Sequence, residues 1–269
     1  MADHAETPPA ERGDPTDATS VVPRRPLPGG FVNQVVRVGD TVRRPPPEGA
    51  PFVRELLALF ERHGWAGAPR FRGVDEEGRE ILDYVDGHVP WRDDLRAGVR
   101  SDESLVRVAE LVREFHDLTS RSELAGDHEV VCHNDLSPRN TVYAGGDGRW
   151  YPVAFIDWDI AAPGDRAHDV AHVCWQYLDL GPDVTDVPDA ARRIRLLCDA
   201  YGALDDERRR GIVDVILWWQ DRCWRGIEAA AERGEPAMVR LRDIGASRSV
   251  RAAHDWVAAH RQKLSAALD

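Results

Sequence analysis

Lysine is almost missing from this chain. Lys263 is the only one among 35 basic residues, and it lies near the C-terminal end, so chemistry that needs a lysine elsewhere has no candidate. A basic excess is missing too. Lys and Arg number 35 against 47 Asp and Glu, a formal net charge of −12 that argues against a nucleic-acid partner, whose footprint is a basic face. The acidity suits a cationic partner or simply solubility. Cysteine is scarce: Cys132, Cys174, Cys198 and Cys223 have neither C-x-x-C pairing nor zinc spacing, and read as reduced, buried thiols. No apolar run approaches the roughly 18 residues of a membrane helix. The opening MADHAETPPAERGDPTDATS lacks the apolar segment of a signal peptide. The expectation is a soluble, cytoplasmic protein with no membrane partner.

The chain has 269 residues, 42% of them hydrophobic, with nine Trp, enough for a large core without disulfide or metal staples. Residues 1–28, rich in Pro, Asp, Glu and Ala, read as a disordered tail. A hairpin is expected from Phe31 to Arg44 around Gly39-Asp40, stopped by Pro45-Pro46-Pro47. Phe52, Leu56, Leu59 and Phe60 predict a helix from Pro51 to His63. Arg70–Gly73 and Arg79–Val85 read as strands, and Ser104–Leu118 as an amphipathic helix. A short strand at Val130–Cys132 precedes a second hairpin, Thr141–Tyr143 with Tyr151–Ile156. From Asp169 the pattern is helical, with an apolar stripe along Glu207–Arg233 and one or two further helices in Val239–Ala267.

The strand at Val130–Cys132 runs into His133-Asn134-Asp135-Leu136-Ser137-Pro138-Arg139-Asn140, and beyond the second hairpin comes Ile156-Asp157-Trp158-Asp159. Two carboxylates and a carboxamide on loops flanking one hairpin can converge. Such hard oxygens suit Mg²⁺, with waters and phosphates completing its shell. A further carboxylate can then accept a proton from a substrate hydroxyl. A metallohydrolase on the same residues is the weaker alternative, since the paired His ligands of a zinc site are absent.

His133-Asn134-Asp135, Asn140, Ile156-Asp157-Trp158-Asp159 and Asp169-Val170-Ala171, in that order, resemble the aminoglycoside phosphotransferase and choline kinase superfamily, over about residues 29–260. The resemblance implies an α+β, bilobal protein-kinase-like fold. A small β-rich N-lobe (29–86) would bind nucleotide, and a larger, mostly helical C-lobe (87–269) would carry the catalytic loop and acceptor site. It implies Asp135 as catalytic base, Asn140 and Asp157 as Mg²⁺ ligands, and His133 and Asp169 as structural supports. The donor would be ATP or GTP. The acceptor would be a small hydroxylated, cationic molecule: an aminoglycoside-like antibiotic, or alternatively choline or an amino alcohol.

In such kinases a strand lysine contacts the phosphates and pairs with a helix glutamate. Here Arg44 fits the lysine's position, with Arg43 second, and Glu55 in the following helix is the expected partner. Adenine would bond to backbone near Asp83 and Val85, and Gly29-Gly30 with Asn33 would approach the phosphates. Asp159, Trp158, Asp221, Trp224 and Glu228, with Asp165 and Trp218, are the acceptor-site candidates: carboxylates for an amine, indoles for a quaternary ammonium. The missing lysine keeps a non-catalytic pseudokinase or immunity-type binding protein beside the enzyme reading. Acceptor identity and oligomeric state stay open.

Overall fold

The structure, a computed structural model, describes residues 24–27, 35–91, 99–146 and 149–268. Gly29, Gly30, Phe31, Asn33 and most of the expected tail lie outside the described residues. Within that tail, Arg24–Pro26 forms strand β1 and pairs antiparallel with β2 (Val36–Val38), which corrects the expectation of disorder there. The Gly39-Asp40 turn joins β2 to β3 (Thr41–Arg44), with Gly39 at φ 61° as a hairpin turn requires. Strands β4 (Phe71–Val74) and β5 (Glu80–Asp83) complete a five-stranded sheet in the order β1-β2-β3-β5-β4.

Helix α1 (Ala50–Arg62) follows β3 and buries Val53, Leu56, Leu57 and Phe60 on one stripe. After Tyr84 the chain crosses to the second lobe. Gly87, at φ 148°, passes so close to the later strand at Tyr143 that an added Cβ would lie 2.8 Å from the Tyr143 carbonyl oxygen. His88 and Tyr143 then exchange backbone hydrogen bonds of 2.8 Å.

The second lobe is mainly helical: α2 (Asp102–Thr119), α3 (Arg166–Leu178), α4 (Val187–Tyr201), α5 (Asp206–Glu232), α6 (Pro236–Asp243) and α7 (Ala246–Ser265). Side-chain caps start four of them: Ser101 for α2, Asp165 for α3, Asp186 for α4 and Asp205 for α5. Two small sheets lie between α2 and α3. Strand β6 (Val130–Cys132) pairs with β9 (Ala162–Gly164), and β7 (Thr141–Gly146) pairs with β8 (Arg149–Phe155). The glycines of the second hairpin extend both its strands beyond their expected ends. The result is an α+β fold of two lobes. No described helix is long and apolar enough to cross a membrane.

An aromatic cluster joins the lobes. Trp158 lies with its ring centroid 5.1 Å from Phe60 of α1, 5.1 Å from Phe115 of α2 and 4.4 Å from His133. Trp65 completes it against Phe60 at 4.7 Å. Tilted and edge-on contacts of this kind add to the burial of large rings. Phe60 has no exposed surface, so Phe60→Ala should cost about 3–5 kcal/mol of unfolding free energy. Chemical denaturation would measure it, and a loss below about 1 kcal/mol would show that the lobes are not joined through this ring.

Candidate active site

Cys132 ends β6, and the chain turns on Asn134, which takes the left-handed conformation at φ 66°. The turn is held by Asp169 of α3, which is fully buried. Its carboxylate accepts the backbone N–H of His133 at 2.7 Å and of Asn134 at 2.9 Å, and contacts His116 Nε2 at 3.1 Å. Burial alone would raise Asp169, but the His116 hydrogen bond and charge, with the backbone donors, hold it below the usual carboxylate range. Burial lowers the His116 and His133 imidazoles. His133 Nδ1 accepts the Asp135 N–H at 3.3 Å, while Nε2 faces the Ile156 carbonyl at 3.1 Å. That ring therefore ties the Asp135 loop to the Asp157 loop.

Pro138–Asn140 forms one 3₁₀ turn that swings Asn140 back over the loop. Its Nδ2 donates to the Asp135 backbone oxygen at 2.8 Å and to Asp135 Oδ2 at 2.7 Å. The Asn140 carboxamide oxygen has no hydrogen-bond partner among the described residues. Asp157, between Phe155 and Trp158, is held at φ 66°, and its side chain is half exposed. A carboxamide oxygen and an accessible carboxylate are hard-oxygen donors of the kind that fits Mg²⁺. The donor set fits that ion. Asp135 itself is pushed up to about 7, first by burial and then by the Asp157 carboxylate.

Arg44 departs from the expected pairing. It is buried, and its Nε and Nη2 each lie 3.2 Å from Glu80 Oε2. Glu80 stands directly opposite Arg44 in the β3–β5 register, is itself fully buried, and also accepts Arg54 Nε at 2.8 Å. Glu55 is exposed on α1, because the buried stripe through Val53, Leu56 and Phe60 turns position 55 to solvent. Glu80 thus replaces Glu55 as the partner. Composition hides it, but antiparallel pairing of the two strands would have placed 44 across from 80. Arg43, on the opposite face of β3, turns to Thr41 and Asp75.

The other end of the Arg44 fork reaches the second lobe. Nη1 lies 2.5 Å from Asp159 Oδ1 and 3.6 Å from Asp157 Oδ1. Burial pushes Asp159 up to about 6 despite that guanidinium.

Where the lobes join, the Asp83 N–H is spent on Arg70 O at 2.9 Å and the Tyr84 N–H on Asp40 O at 2.9 Å. Asp83 therefore cannot donate to a base, whereas the Val85 N–H has no partner among the described residues. The acceptor candidates do not assemble into a cage. Trp158 is core, 1% exposed, and Asp159 faces Arg44. Asp221 pairs with Arg225 at 2.7 Å, and Glu228 accepts the Ser247 hydroxyl. Trp224 lies under the Arg225 and Arg251 guanidiniums at 4.4 and 5.4 Å. Asp165 caps α3 and pairs with Arg208, and Trp218 packs on His168 and Arg222. Cys223 of α5 was no candidate, yet its thiol is pushed up to about 11 by burial and by the Asp135 carboxylate, which sets that helix beside the loop.

Residues 120–211, which hold both loops and Asp169, match the model of a phosphotransferase enzyme family. Over 275 aligned residues the chain is 31% identical to the trifolitoxin immunity protein of Rhizobium leguminosarum bv. trifolii, covering 90% of this chain and 97% of that protein. The chain belongs to the aminoglycoside phosphotransferase and choline kinase superfamily. A choline/ethanolamine kinase family protein from Mesorhizobium loti shares the superfamily fold with a TM-score of 0.58 at 18% identity, covering 95% of each chain. The GDP complex of aminoglycoside 2'-phosphotransferase-IIIa gives a TM-score of 0.58 at 15% identity, over 90% of this chain and 95% of that one.

The raised Asp135 gives a stability test. A folded-state value of about 7 lies above the roughly 4 of an unfolded aspartate. The ionised carboxylate therefore costs stability fully above about pH 7, and the cost fades as pH falls toward about 4. Asp135→Asn should raise the melting temperature at pH 8 and lose that advantage by pH 4 to 5. An equal effect at both pH values would mean that Asp135 is ionised without penalty.

Proposed function

We propose that the chain is an ATP- or GTP-dependent, Mg²⁺-assisted phosphotransferase acting on a hydroxyl group of a small molecule. The observation that carries this reading is the joining of Asp135 to Asn140 at 2.7 Å, beside the accessible Asp157. One side of that carboxylate is fixed by the carboxamide. The other is free to orient an acceptor hydroxyl and take its proton, and a value near 7 matches a base working near neutral pH. Asn140 and Asp157 would hold Mg²⁺, which neutralises charge on the transferring phosphoryl group. Arg44 would supply the cation that the missing lysine does not, with Nη1 presented beside the Asp157 loop. Val85 offers its N–H to a base at the junction of the lobes. The proposed division is nucleotide on the 29–86 side and acceptor on the 87–269 side, in a reducing, cytoplasmic setting that suits four free cysteines.

Acceptors to screen first are aminoglycosides and amino alcohols, the classes named for the solved structures of this fold. Asp221, paired with Arg225, and Glu228, holding the Ser247 hydroxyl, give less support to a strongly cationic acceptor than to a neutral or singly charged one. A second reading, a non-catalytic immunity-type binding protein, draws on the 31% identical relative and on the arginine in the lysine's position.

Thermal shift with ATP or GTP, with and without Mg²⁺, separates the two. A nucleotide at a hundred times its dissociation constant adds about 2.7 kcal/mol of stability. The enzyme reading expects a Mg²⁺-dependent shift that Asp157→Ala abolishes, and no shift with either nucleotide moves the weight to the binding protein. Asp135→Asn should lower transfer by about 100-fold or more while nucleotide binding persists. Wild-type turnover in that variant would remove Asp135 from the mechanism.

A further inference from the structure

Arg44 does more in this geometry than stand in for a lysine. A lysine ammonium is one compact charge, whereas the guanidinium is a rigid fork with separate donor edges. Here one edge, Nε and Nη2, is fixed on Glu80, and this aims Nη1 at the second lobe. Nη1 then sits 2.5 Å from Asp159 and 3.6 Å from Asp157, between two carboxylates that belong to one short loop. The fork is 8% exposed and Glu80 is 1% exposed, so the charge cannot swing into water without stranding a buried carboxylate on Arg54 alone.

Kinases of related fold use two Mg²⁺ ions. A second divalent ion bridging Asp157 and Asp159 would have to displace Nη1 from its nearest contact. The charges around the cleft point the same way. Glu80, Asp157 and Asp159 all face the Arg44 guanidinium, which already stands where a further cation between the last two would have to sit.

We propose that Arg44 is a built-in cation occupying the position of a second metal ion, so that the chain loads its nucleotide with a single divalent cation, held by Asn140 and Asp157. Asp159 is then a partner of Arg44 and not a metal ligand. This rests on the phosphotransferase reading.

The experiment counts Mn²⁺ bound per chain by electron paramagnetic resonance, with a non-hydrolysable ATP or GTP analogue present. Wild type should retain one Mn²⁺ per nucleotide-loaded chain, and Arg44→Gln should retain two. Asp159→Asn, which keeps the buried shape should Arg44→Gln fail to fold, should leave both the count and the Mn²⁺ affinity as in wild type. A metal ligand there would make the same change weaken affinity by about tenfold or more, a full Coulomb contact being lost. Two Mn²⁺ in wild type, or a weakened Asp159→Asn, overturns the inference and leaves the phosphotransferase reading standing. Absence of any nucleotide-dependent Mn²⁺ binding in wild type removes that reading and the inference together.

Discussion

The contact on which the site depends is the one between Asp169 and the backbone of the loop after β6. A loop that turns through a left-handed Asn134 exposes two consecutive N–H groups on its inner side, deep enough that water cannot satisfy them. An unpaired buried donor costs about 1–3 kcal/mol, so the loop keeps this shape only with an acceptor beneath it. Asp169 supplies both lone-pair directions from the first turn of α3. It is also bonded to His116, whose other nitrogen lies 2.8 Å from the Tyr201 hydroxyl of α4. Three helices of the second lobe thus converge on one carboxylate, and the loop is as rigid as the packing of those helices.

From that anchor the remaining geometry follows by short steps. His133 carries the constraint to Ile156, and the next residue, Asp157, is held at φ 66° immediately before the buried Trp158. The Asp157 loop in turn carries Asp159 to Arg44 and so to the first lobe. The site is electrostatically crowded, with carboxylates raised by burial and by one another. Crowded, perturbed carboxylates of this kind cluster at functional sites.

Much of this was legible in the sequence because it is local. The Asp135–Asn140 spacing, the Asp157 loop and the acid near the start of α3 each lie within one loop or one turn, where residue order nearly dictates position. The helices were legible for a similar reason, since stripes such as Val53, Leu56 and Phe60 betray their buried face. What escaped was long-range pairing. Glu80 looks like one more charge in Arg79-Glu80-Ile81 until β5 is laid against β3, and Glu55 looks better placed because it lies in the adjoining helix. Trp158 looked like a ligand-facing indole because it neighbours Asp157, whereas alternation along the chain sends it into the core. The acidic residues of α5 failed as a cage for the converse reason: each already has a partner in the next turn or helix, Arg225 for Asp221 and the Ser247 hydroxyl for Glu228.

Gly87 carries a further implication for how the lobes can move. The chain between them is pinned immediately afterwards, where His88 is locked to Tyr143 and its ring stacks on Trp150 at 4.7 Å. On the other side, Tyr84 is bonded back to Asp40. Val85, Asp86 and Gly87 lie between these two clamps, with Asp86 facing Arg37 at 3.9 Å, so any movement of one lobe on the other is concentrated in a few backbone dihedrals there. The joint between the lobes is then a short one, and Gly87, where a Cβ would collide with Val142 and the Tyr143 carbonyl, fixes where it ends.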